Sequence, residues 1–467
     1  MTIDPTDLCY AGAAEQARLI RAGQVSACEL IAATLDRIEA VNPVLNAYRV
    51  VLADQATTAA ARHDERTADR QQLPLLGVPV AVKDSEDVAG EVTTFGTSAN
   101  RRAATVDSPI VSALRAAGAI IIGKTTCSEL MAWPFTETPA WGATRNPWNV
   151  DYSPGGSSGG AAAAAAAGLC GLALGSDGLG SIRAPAGFTG LFGLKPQRGR
   201  LWHSPVDWNR LVVNGPLCRT VADAALFLDA TAGDLPVGGF SAAITGGFKP
   251  LRIAVAWKSL AKFPVTARLG DDQRRAVEET ADLLTGLGHT VIQREIKFPL
   301  KTSTNVLVRY LAGVAEGEAT LDAPDALSRR TRKIARYGRL ISDRRLQGAL
   351  AAEVSIARGI NRIFDDVDVV LTPGAIQAPL RIGELEGKGA WRSFDASGRM
   401  IPHYGPWNVI GQPAASIPAG FDRTGLPLSI QLAGRPHDEA TLLSLAAQIE
   451  SARPWSSARP ALAPIDQ

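Results

Sequence analysis

Two glycine-rich stretches each hold a serine that could attack a carbonyl carbon. The first, SPGGSSGG at 153–160, fits the G-x-S-x-G pattern of a nucleophile elbow, with Ser157 at its centre. The second, GSDGLGSIRAP at 175–185, carries three glycines before Ser181. Glycines allow a tight turn whose successive N–H groups can stabilise an oxyanion. The residue types indicate acyl transfer, although a Gly-Ser loop by itself is usually only a turn.

A lysine is the candidate base. The stretch LLGVPVAVKD at 75–84 is an almost continuous apolar run, typical of a strand buried on both faces, and Lys83 closes it. Burial lowers the pKa of a lysine, and a neutral amine can accept a proton. A salt bridge to Asp84, Glu86 or Asp87 explains the same position equally well.

Histidine and metal chemistry receive little support from the sequence. None of the five histidines stands in a motif that looks catalytic, so a Ser-His-Asp triad would need the fold to bring one in. No spacing of His, Cys, Asp and Glu resembles a metal site. We therefore expect no metal and no cofactor.

The composition excludes several classes of partner. The 48 basic and 46 acidic side chains give a net charge of +2, which predicts no nucleic-acid or membrane-surface binding. No apolar run approaches the roughly 20 residues that span a bilayer, and the first residues do not resemble a signal peptide. The five scattered cysteines indicate reduced thiols, so we expect a cytoplasmic protein.

One literal motif match is set aside. The stretch GAIIIGKT at 118–125 fits the P-loop pattern G-x-x-x-x-G-K-[ST]. A P-loop needs a loop whose N–H groups face phosphate, but Ala-Ile-Ile-Ile predicts a buried strand that follows a helix. Nucleotide binding is therefore not expected.

Strand-like and helix-like segments alternate along the chain. This alternation predicts an α/β fold with a large central sheet and helices on both faces. No long polar linker marks a domain boundary. The predicted strands lie at 75–84, 119–124, 251–257, 289–296 and 364–373, and predicted helices at 11–41, 108–118, 271–288 and 440–450.

Taken together, an ordered series of stretches resembles the amidase signature family. The match is strong over about 75–230 and 361–450 and weak over 231–360. The stretches that carry it include GVPVAVKDSEDVAG (77–90), DSPIVSALRAAGAIIIGKTTCSEL (107–130), NPWNVDYSPGGSSGG (146–160), LALGSDGLGSIRAPAGFTGLFGLKP (172–196), NGPLCRTVADAALFLD (214–229) and GQPAASIPAGFDRTGLPLSIQLAGRPHDEATLL (411–443).

The resemblance implies one α/β/α domain over residues 1–467 with a large mixed central sheet. Its signature core would be about 75–230, a more variable part 231–360, and the C-terminal part of the sheet 361–450.

The resemblance also implies a Ser-cisSer-Lys triad. By position, Lys83 matches the lysine, Ser157 the bridging serine and Ser181 the nucleophile, with a cis peptide between residues 156 and 157. The 24 residues from Ser157 to Ser181 match the spacing in the family. The implied reaction is hydrolysis of an amide to an acid and ammonia or an amine through an acyl-enzyme, with esterase activity as a side reaction.

Further roles follow from the same comparison. Ser158, Asp177 and Arg183 would support the two loops, although ordinary structural pairing is a slightly better explanation for each of them. Leu179 departs from the family, which usually has glycine there; it would be strained if that backbone needed a positive φ. The expected oxyanion donors are the N–H groups of Gly178, Leu179, Gly180 and Ser181.

In the family that the chain resembles, variable stretches form the substrate walls, and here these are 131–141, 201–208 and 391–407. An apolar or aromatic acyl group is expected against Met131, Trp133, Phe135, Trp208 and Tyr404, although any single aromatic is more often core. The expected partner is a small amide, and a homodimer is left open.

Two alternatives remain at this point. One is the A subunit of an aminoacyl-tRNA amidotransferase, but residues 332–363 hold a single tyrosine where that subunit is tyrosine-rich, which favours a stand-alone amidase. The other is a silent family member that acts as a binding subunit, which the leucine at 179 keeps open.

Overall fold

A mixed β-sheet forms the centre of the molecule. The computed structural model describes residues 3–66, 70–202, 206–260 and 268–462. Within these ranges the main sheet has eleven strands in the order β1-β3-β2-β6-β8-β7-β12-β13-β11-β9-β10, and β4 pairs with β5 separately. The strands are β1 (Tyr48–Val51), β2 (Pro79–Lys83), β3 (Ile120–Thr125), β4 (Glu137–Thr138), β5 (Gly142–Ala143), β6 (Leu172–Asp177), β7 (Phe192–Lys195), β8 (Val213–Cys218), β9 (Arg252–Val255), β10 (Thr290–Gln293), β11 (Val369–Pro373), β12 (Ala414–Phe421) and β13 (Pro427–Ala433).

Helices cover both faces of this sheet. On β2, Val80 and Val82 belong to one apolar core, whereas Ala81 belongs to the core on the opposite face. The helices are α1 (Pro5–Tyr10), α2 (Ala13–Arg21), α3 (Ala27–Leu45), α4 (Ala53–Glu65), α5 (Pro109–Ala116), α6 (Gly159–Ala166), α7 (Arg183–Thr189), α8 (Val221–Thr231), α9 (Gly239–Thr245), α10 (Asp271–Gly286), α11 (Lys301–Ala319), α12 (Arg329–Gly338), α13 (Asp343–Asn361), α14 (Ala390–Met400), α15 (Gly405–Val409) and α16 (Glu439–Ala452). The predicted single α/β/α domain with a mixed sheet is confirmed.

The site residues meet because of a parallel crossover. Strands β2 and β6 are parallel neighbours, and helix α6 packs across them before the chain enters β6. The carboxyl ends of parallel strands lie at one edge, and the crossover helix begins at that same edge. Lys83 ends β2, Ser157 directly precedes α6, and Ser181 follows β6. The topology therefore brings together residues that are 74 and 24 positions apart in sequence.

Helix α6 needs small residues to lie this close to the sheet. All eight of its residues are glycine or alanine and all are buried. A Cβ on Gly160 would lie 2.3 Å from Thr126 Oγ1 and 2.5 Å from the Ala47 carbonyl oxygen, which is closer than atoms pack. The alanine run is thus a packing requirement that fixes the start of the helix, and with it Ser157.

The P-loop-like stretch forms the strand that its residues predict. Residues 120–125 are the fully buried β3, and Lys124 Nζ lies 2.8 Å from Asp84 Oδ1. Its charge is therefore paired inside the protein. Among the helices that the structure describes, none is long and apolar enough to cross a membrane.

Candidate active site

Lys83 is fully buried and points at two serines. Its Nζ lies 2.7 Å from Ser157 Oγ, 2.9 Å from Ser176 Oγ and 3.4 Å from the Ser176 carbonyl oxygen. Burial lowers the pKa of Lys83 to about 8, and the charges of Cys127, Asp177 and Glu86 offset only part of that effect. The lysine therefore has an accessible neutral form near physiological pH, and the alternative of a salt bridge at the strand end is not what its contacts show.

Ser157 follows a cis peptide bond. The peptide bond between Gly156 and Ser157 is cis, at the position that the resemblance implied. Phe135 lies directly behind this bond, because a Cβ on Gly156 would be 2.6 Å from the Phe135 nitrogen. The serine side chain is fully buried and contacts the lysine amine.

Ser158 joins the two serine loops. Its N–H donates to the Ser181 carbonyl oxygen at 3.3 Å, and its hydroxyl donates to the Ser176 carbonyl oxygen at 3.2 Å. The same hydroxyl accepts from the Ser176 N–H at 3.3 Å. Ser158 thus stabilises the position of one loop relative to the other.

Ser176 is a site residue that sequence reasoning missed. It is buried near the end of β6, and its hydroxyl donates to Met131 Sδ at 3.7 Å while it contacts Lys83. It lies one residue before the end of β6, which pairs with the strand that carries Lys83, and that pairing was not predicted from the sequence.

The loop that carries Ser181 is organised by a buried carboxylate. Asp177 Oδ1 accepts the Gly180 N–H at 2.6 Å, and its Oδ2 accepts the Ile182 N–H at 3.3 Å and the Arg183 Nε–H at 2.9 Å. Burial alone would raise the pKa of Asp177, but Arg183 and the Asn408 amide hold it below its ordinary range.

Arg183 connects this loop to the C-terminal part of the sheet. Its guanidinium is fully buried and donates to Gln431 Oε1 at 2.7 Å and Asn408 Oδ1 at 2.6 Å. Asn408 in turn donates to Asp177 Oδ1 at 2.9 Å. Asn408 and Gln431 carried no sequence signal, because they lie more than 200 residues from the loop that they hold.

The positive φ in the loop that carries Ser181 lies at Gly180 and not at Leu179. Gly180 has φ +119°, and a Cβ there would lie 2.7 Å from the Tyr404 ring, so this position requires glycine. Leu179 is not among the described non-glycine residues with positive φ. The strain considered for Leu179 is therefore absent, because the left-handed residue is its neighbour.

The N–H groups of the loop fall into two sets. That of Gly180 is used by Asp177, so it is not available to an oxyanion in this geometry. Within the described residues, the N–H groups of Gly178, Leu179 and Ser181 have no hydrogen-bond partner. The Ser181 hydroxyl likewise makes no hydrogen bond within the described part of the chain and lies at the surface of a cavity.

The cavity beside Ser181 has a volume of about 180 Å³ and mostly apolar walls. Met131, Trp133 and Trp208 line it, as their sequence context predicted. The predicted stretch 391–407 also contributes to the wall, through Phe394, Ile401 and Pro406. Walls that the sequence did not single out come from α11 and from the residues after β11: Val306, Leu307, Tyr310 and Ile376.

Two predicted pocket residues lie elsewhere. Tyr404 is fully buried behind the loop that carries Ser181, where its ring packs on Gly180 and under the Arg183 guanidinium at 4.9 Å. Phe135 is 1% exposed and packs against Trp133, with ring centroids 5.8 Å apart. Both are support for the site, since each fills the space behind a loop rather than the cavity itself.

The described histidines lie away from these groups. None of His63, His289, His403 and His437 lines the cavity. Burial lowers the pKa of His403 to about 4, so that ring is neutral. His289 accepts the Leu251 N–H at its Nδ1. His203 lies outside the described residues.

Comparison with known proteins identifies the family of the chain. Residues 29–443 match the family model described as Amidase. The chain is 50% identical over 463 residues to "Putative amidase AmiB2" of Mycobacterium tuberculosis, covering 98% of this chain and all of that protein. It is 43% identical over 451 residues to "Putative amidase AmiA2" of the same species, covering 93% and 92%.

A solved structure is also similar over nearly the whole chain. The 6-aminohexanoate cyclic dimer hydrolase superposes with a TM-score of 0.87 at 29% identity, covering 97% of this chain and 99% of that one. The matched family model, the close relatives and this fold agree with one another. The chain therefore belongs to the amidase signature family of amide hydrolases.

Proposed function

We propose that the chain is a stand-alone amidase that hydrolyses a carboxylic acid amide through an acyl-enzyme on Ser181. The observation that carries the proposal is the fully buried contact of 2.7 Å between Lys83 Nζ and Ser157 Oγ, on the loop that Ser158 ties to Ser181. In this mechanism Lys83 is the base and Ser157 transmits the proton.

The contacts of Lys83 suit a neutral amine that accepts a proton. A neutral amine has two N–H bonds and one lone pair. Ser176 offers two acceptors, its hydroxyl and its carbonyl oxygen, and that hydroxyl directs its own hydrogen at Met131 Sδ. The lone pair is then left for the Ser157 hydroxyl. Ser176 is thus a positioning residue for the base.

The first half-reaction transfers one proton along this path. Ser157 gives its proton to Lys83 and accepts the proton of Ser181, whose oxygen attacks the amide carbonyl carbon. The N–H groups of Gly178, Leu179 and Ser181 donate to the developing oxyanion. When the C–N bond breaks, the proton returns through Ser157 to the leaving nitrogen, and an ester to Ser181 remains.

The second half-reaction uses water in place of the amine. Water gives a proton to the same relay and attacks the acyl carbon, and the acid leaves as Ser181 regains its proton. Every atom comes from the amide, water and this chain, so the reaction needs no cofactor. Ester substrates fit the same path, because only the leaving atom differs.

The cavity supports an apolar or aromatic substituent on the amide. Trp208, Tyr310 and Phe394 form consecutive ring contacts, with centroids 5.4 Å apart in both pairs, and all three line the cavity. Another similar solved structure is that of a bacterial aryl acylamidase. It has a TM-score of 0.82 at 26% identity and covers 95% of this chain and 96% of that one. An aromatic amide is therefore a suitable first substrate.

The test is covalent labelling followed by hydrolysis. A fluorophosphonate probe is expected to label wild-type protein at Ser181, as located by peptide mass spectrometry. The purified chain is expected to release 4-nitroaniline from hexanoyl-4-nitroanilide, and Ser181→Ala to do neither while it unfolds at the wild-type temperature. Labelling at another residue, or equal activity in Ser181→Ala, would refute the proposal.

The same preparation separates the alternatives. A silent binding subunit would not be labelled, and an amidotransferase subunit would need its partner proteins for activity. Ammonia release from simple amides by the chain alone would exclude both. The relatives at 50% and 43% identity carry amidase names, which favours the stand-alone enzyme.

A further inference from the structure

We propose that Leu179 determines specificity: with Val306 it forms a wall beside Ser181 that accepts amides unbranched at the carbon next to the carbonyl and rejects branched ones. The inference rests on the proposed function, because it concerns the substrate of the same site.

Among the residues that line the cavity, Leu179 is the nearest to Ser181 in sequence. It is partly exposed and lines the cavity together with Ser181. Its own backbone N–H is one of the three N–H groups of this loop that have no hydrogen-bond partner among the described residues. A carbonyl oxygen that accepts from this N–H must hold its carbon, and the substituent on that carbon, close to the leucine side chain. A branch on that substituent would therefore contact the leucine side chain.

The neighbouring positions cannot carry this wall. A Cβ on Gly178 would lie 3.1 Å from the Trp208 ring, and one on Gly180 would lie 2.7 Å from the Tyr404 ring. Both positions face packed aromatic rings, whereas Leu179 lines the cavity and packs at the edge of the apolar core. Of these three positions, 179 is therefore the one whose side chain can contact a ligand in the cavity.

Val306 completes the wall on the other side of Gly405. A Cβ built on Gly405 would lie 3.5 Å from Leu179 Cδ2 and 3.8 Å from Val306 Cγ2. Leu179 and Val306 therefore flank the same small space, and both line the cavity. An extra methyl group at 405 would be in ordinary contact with both, so it would extend the wall without displacing either.

The rest of the cavity favours a chain that continues away from the carbonyl. Ser303, Val306, Leu307 and Tyr310 line it at the i, i+3, i+4 and i+7 positions of α11. This helical face extends for about 10 Å. A linear apolar chain can lie along it, whereas a branch at the first carbon would meet Leu179. The substrate class we infer is the amide of an unbranched apolar acid.

The experiment compares hexanoyl-4-nitroanilide with its 2-methylhexanoyl analogue. The wild type is expected to favour the linear substrate in kcat/KM by about 10-fold or more, since one methylene can be worth that much in a tight pocket. Leu179→Ala should raise the ratio of kcat/KM for the branched substrate over the linear one by about 10-fold. Gly405→Ala should act in the opposite direction and increase the preference for the linear substrate.

Leu307→Ala is the matched control, because it removes the same atoms from a leucine on the α11 wall of the cavity. It should change kcat/KM for both substrates by the same factor. An unchanged ratio in both Leu179→Ala and Gly405→Ala, or a wild type without preference, overturns the inference. Because Gly405→Ala only adds a methyl group in ordinary contact, it keeps the test decisive if Leu179→Ala does not fold.

The two proposals fail in different ways. If Ser181 is not labelled and neither anilide is cleaved, the proposed function fails. If Ser181 is labelled and both anilides are cleaved at a ratio that the variants do not move, only the role of Leu179 fails.

Discussion

The site has two halves that are built in opposite ways. At its polar half, Lys83, Ser157 and Ser176 are at most 2% exposed and joined by short hydrogen bonds. At its apolar half, buried rings such as Trp208 share the cavity wall with partly exposed side chains such as Leu179 and Val306. The polar half comes from strand ends and one helix start, whereas the apolar half is assembled from loops and helices spread from residue 131 to residue 406.

Because of this difference, substitutions in the two halves should have different effects. A buried polar group that loses its partner costs a large part of the folding free energy or of the reaction rate. A cavity wall that loses a side chain mainly changes which ligand fits. The variants below test this division, beginning with the largest expected effect.

Lys83→Met should lower kcat/KM by about 10⁴-fold, because it removes the base while retaining the length of the side chain. Steady-state kinetics on hexanoyl-4-nitroanilide, with thermal unfolding measured in parallel, checks it. Lys195→Met is the control: this lysine is also fully buried, but its amine donates to the Pro196 carbonyl oxygen. Equal losses in both variants would contradict a specific role for Lys83.

Asp177→Asn should lower the free energy of unfolding by about 3–5 kcal/mol, because it leaves the Arg183 guanidinium buried without its carboxylate. Urea unfolding followed by fluorescence measures this change. The exposed pair of Glu15 and Arg18 is the comparison, since Glu15→Gln there should cost about 1 kcal/mol or less. A small effect at Asp177 would mean that the loop is held mainly by packing.

Ser176→Ala should lower kcat/KM by about 10- to 100-fold through a misdirected amine, while Ser181 stays available. Hydrogen-bond acceptors stabilise the ammonium form more than the neutral form, so their loss lowers the pKa of Lys83 further. The midpoint of the pH profile should therefore move below that of the wild type. Ser176→Thr keeps the hydroxyl and should restore the wild-type midpoint; a loss of rate with no shift in either variant would argue against positioning.

The wild-type pH profile tests the protonation state of the base. Because the neutral amine is the active form and the pKa of Lys83 is about 8, kcat/KM should rise about tenfold per pH unit below 8 and level off above it. Rates from pH 6 to 10 with the anilide substrate measure this. A midpoint near 6.5 would point instead to a histidine.

Phe394→Ala is expected to have the smallest effect on the reaction itself. Its ring contacts Tyr310 and lines the cavity, so its loss should raise KM about tenfold and leave kcat within about threefold. Trp391→Ala removes a neighbouring ring that is 42% exposed and does not line the cavity, and it should leave KM near that of the wild type. A change of kcat in Phe394→Ala, or a shift of its pH midpoint, would break the division between the two halves.

The sequence was informative where short segments carry both chemistry and topology. Apolar runs on parallel strands, a glycine-rich turn before a small-residue helix and a serine loop after the next strand are all local patterns. The order of these patterns was sufficient to identify the family and to predict roles for Lys83, Ser157 and Ser181. Ser176 was missed because its proximity to Lys83 depends on the pairing of β6 with β2, which no local pattern records.

The aromatic residues show where sequence reasoning stops. Trp208 and Tyr404 look alike as aromatics in variable stretches, yet Trp208 lines the cavity and Tyr404 packs behind the loop that carries Ser181. Which side of a loop a ring occupies depends on segments about 100 to 220 residues away, such as α11 for Trp208 and the Ser181 loop for Tyr404.

By itself, the sequence determined the α/β architecture and the family, because those depend on periodicity, glycine placement and the order of the motifs. The roles of Lys83, Ser157 and Ser181 in a proton path stay predictions. Only the tertiary structure decided the rest. It showed that Gly180 and not Leu179 bears the positive φ, and that Asp177 uses the Gly180 N–H. It also placed Asn408 and Gln431 on Arg183. These outcomes depend on contacts between distant segments, whose free energies no local pattern records.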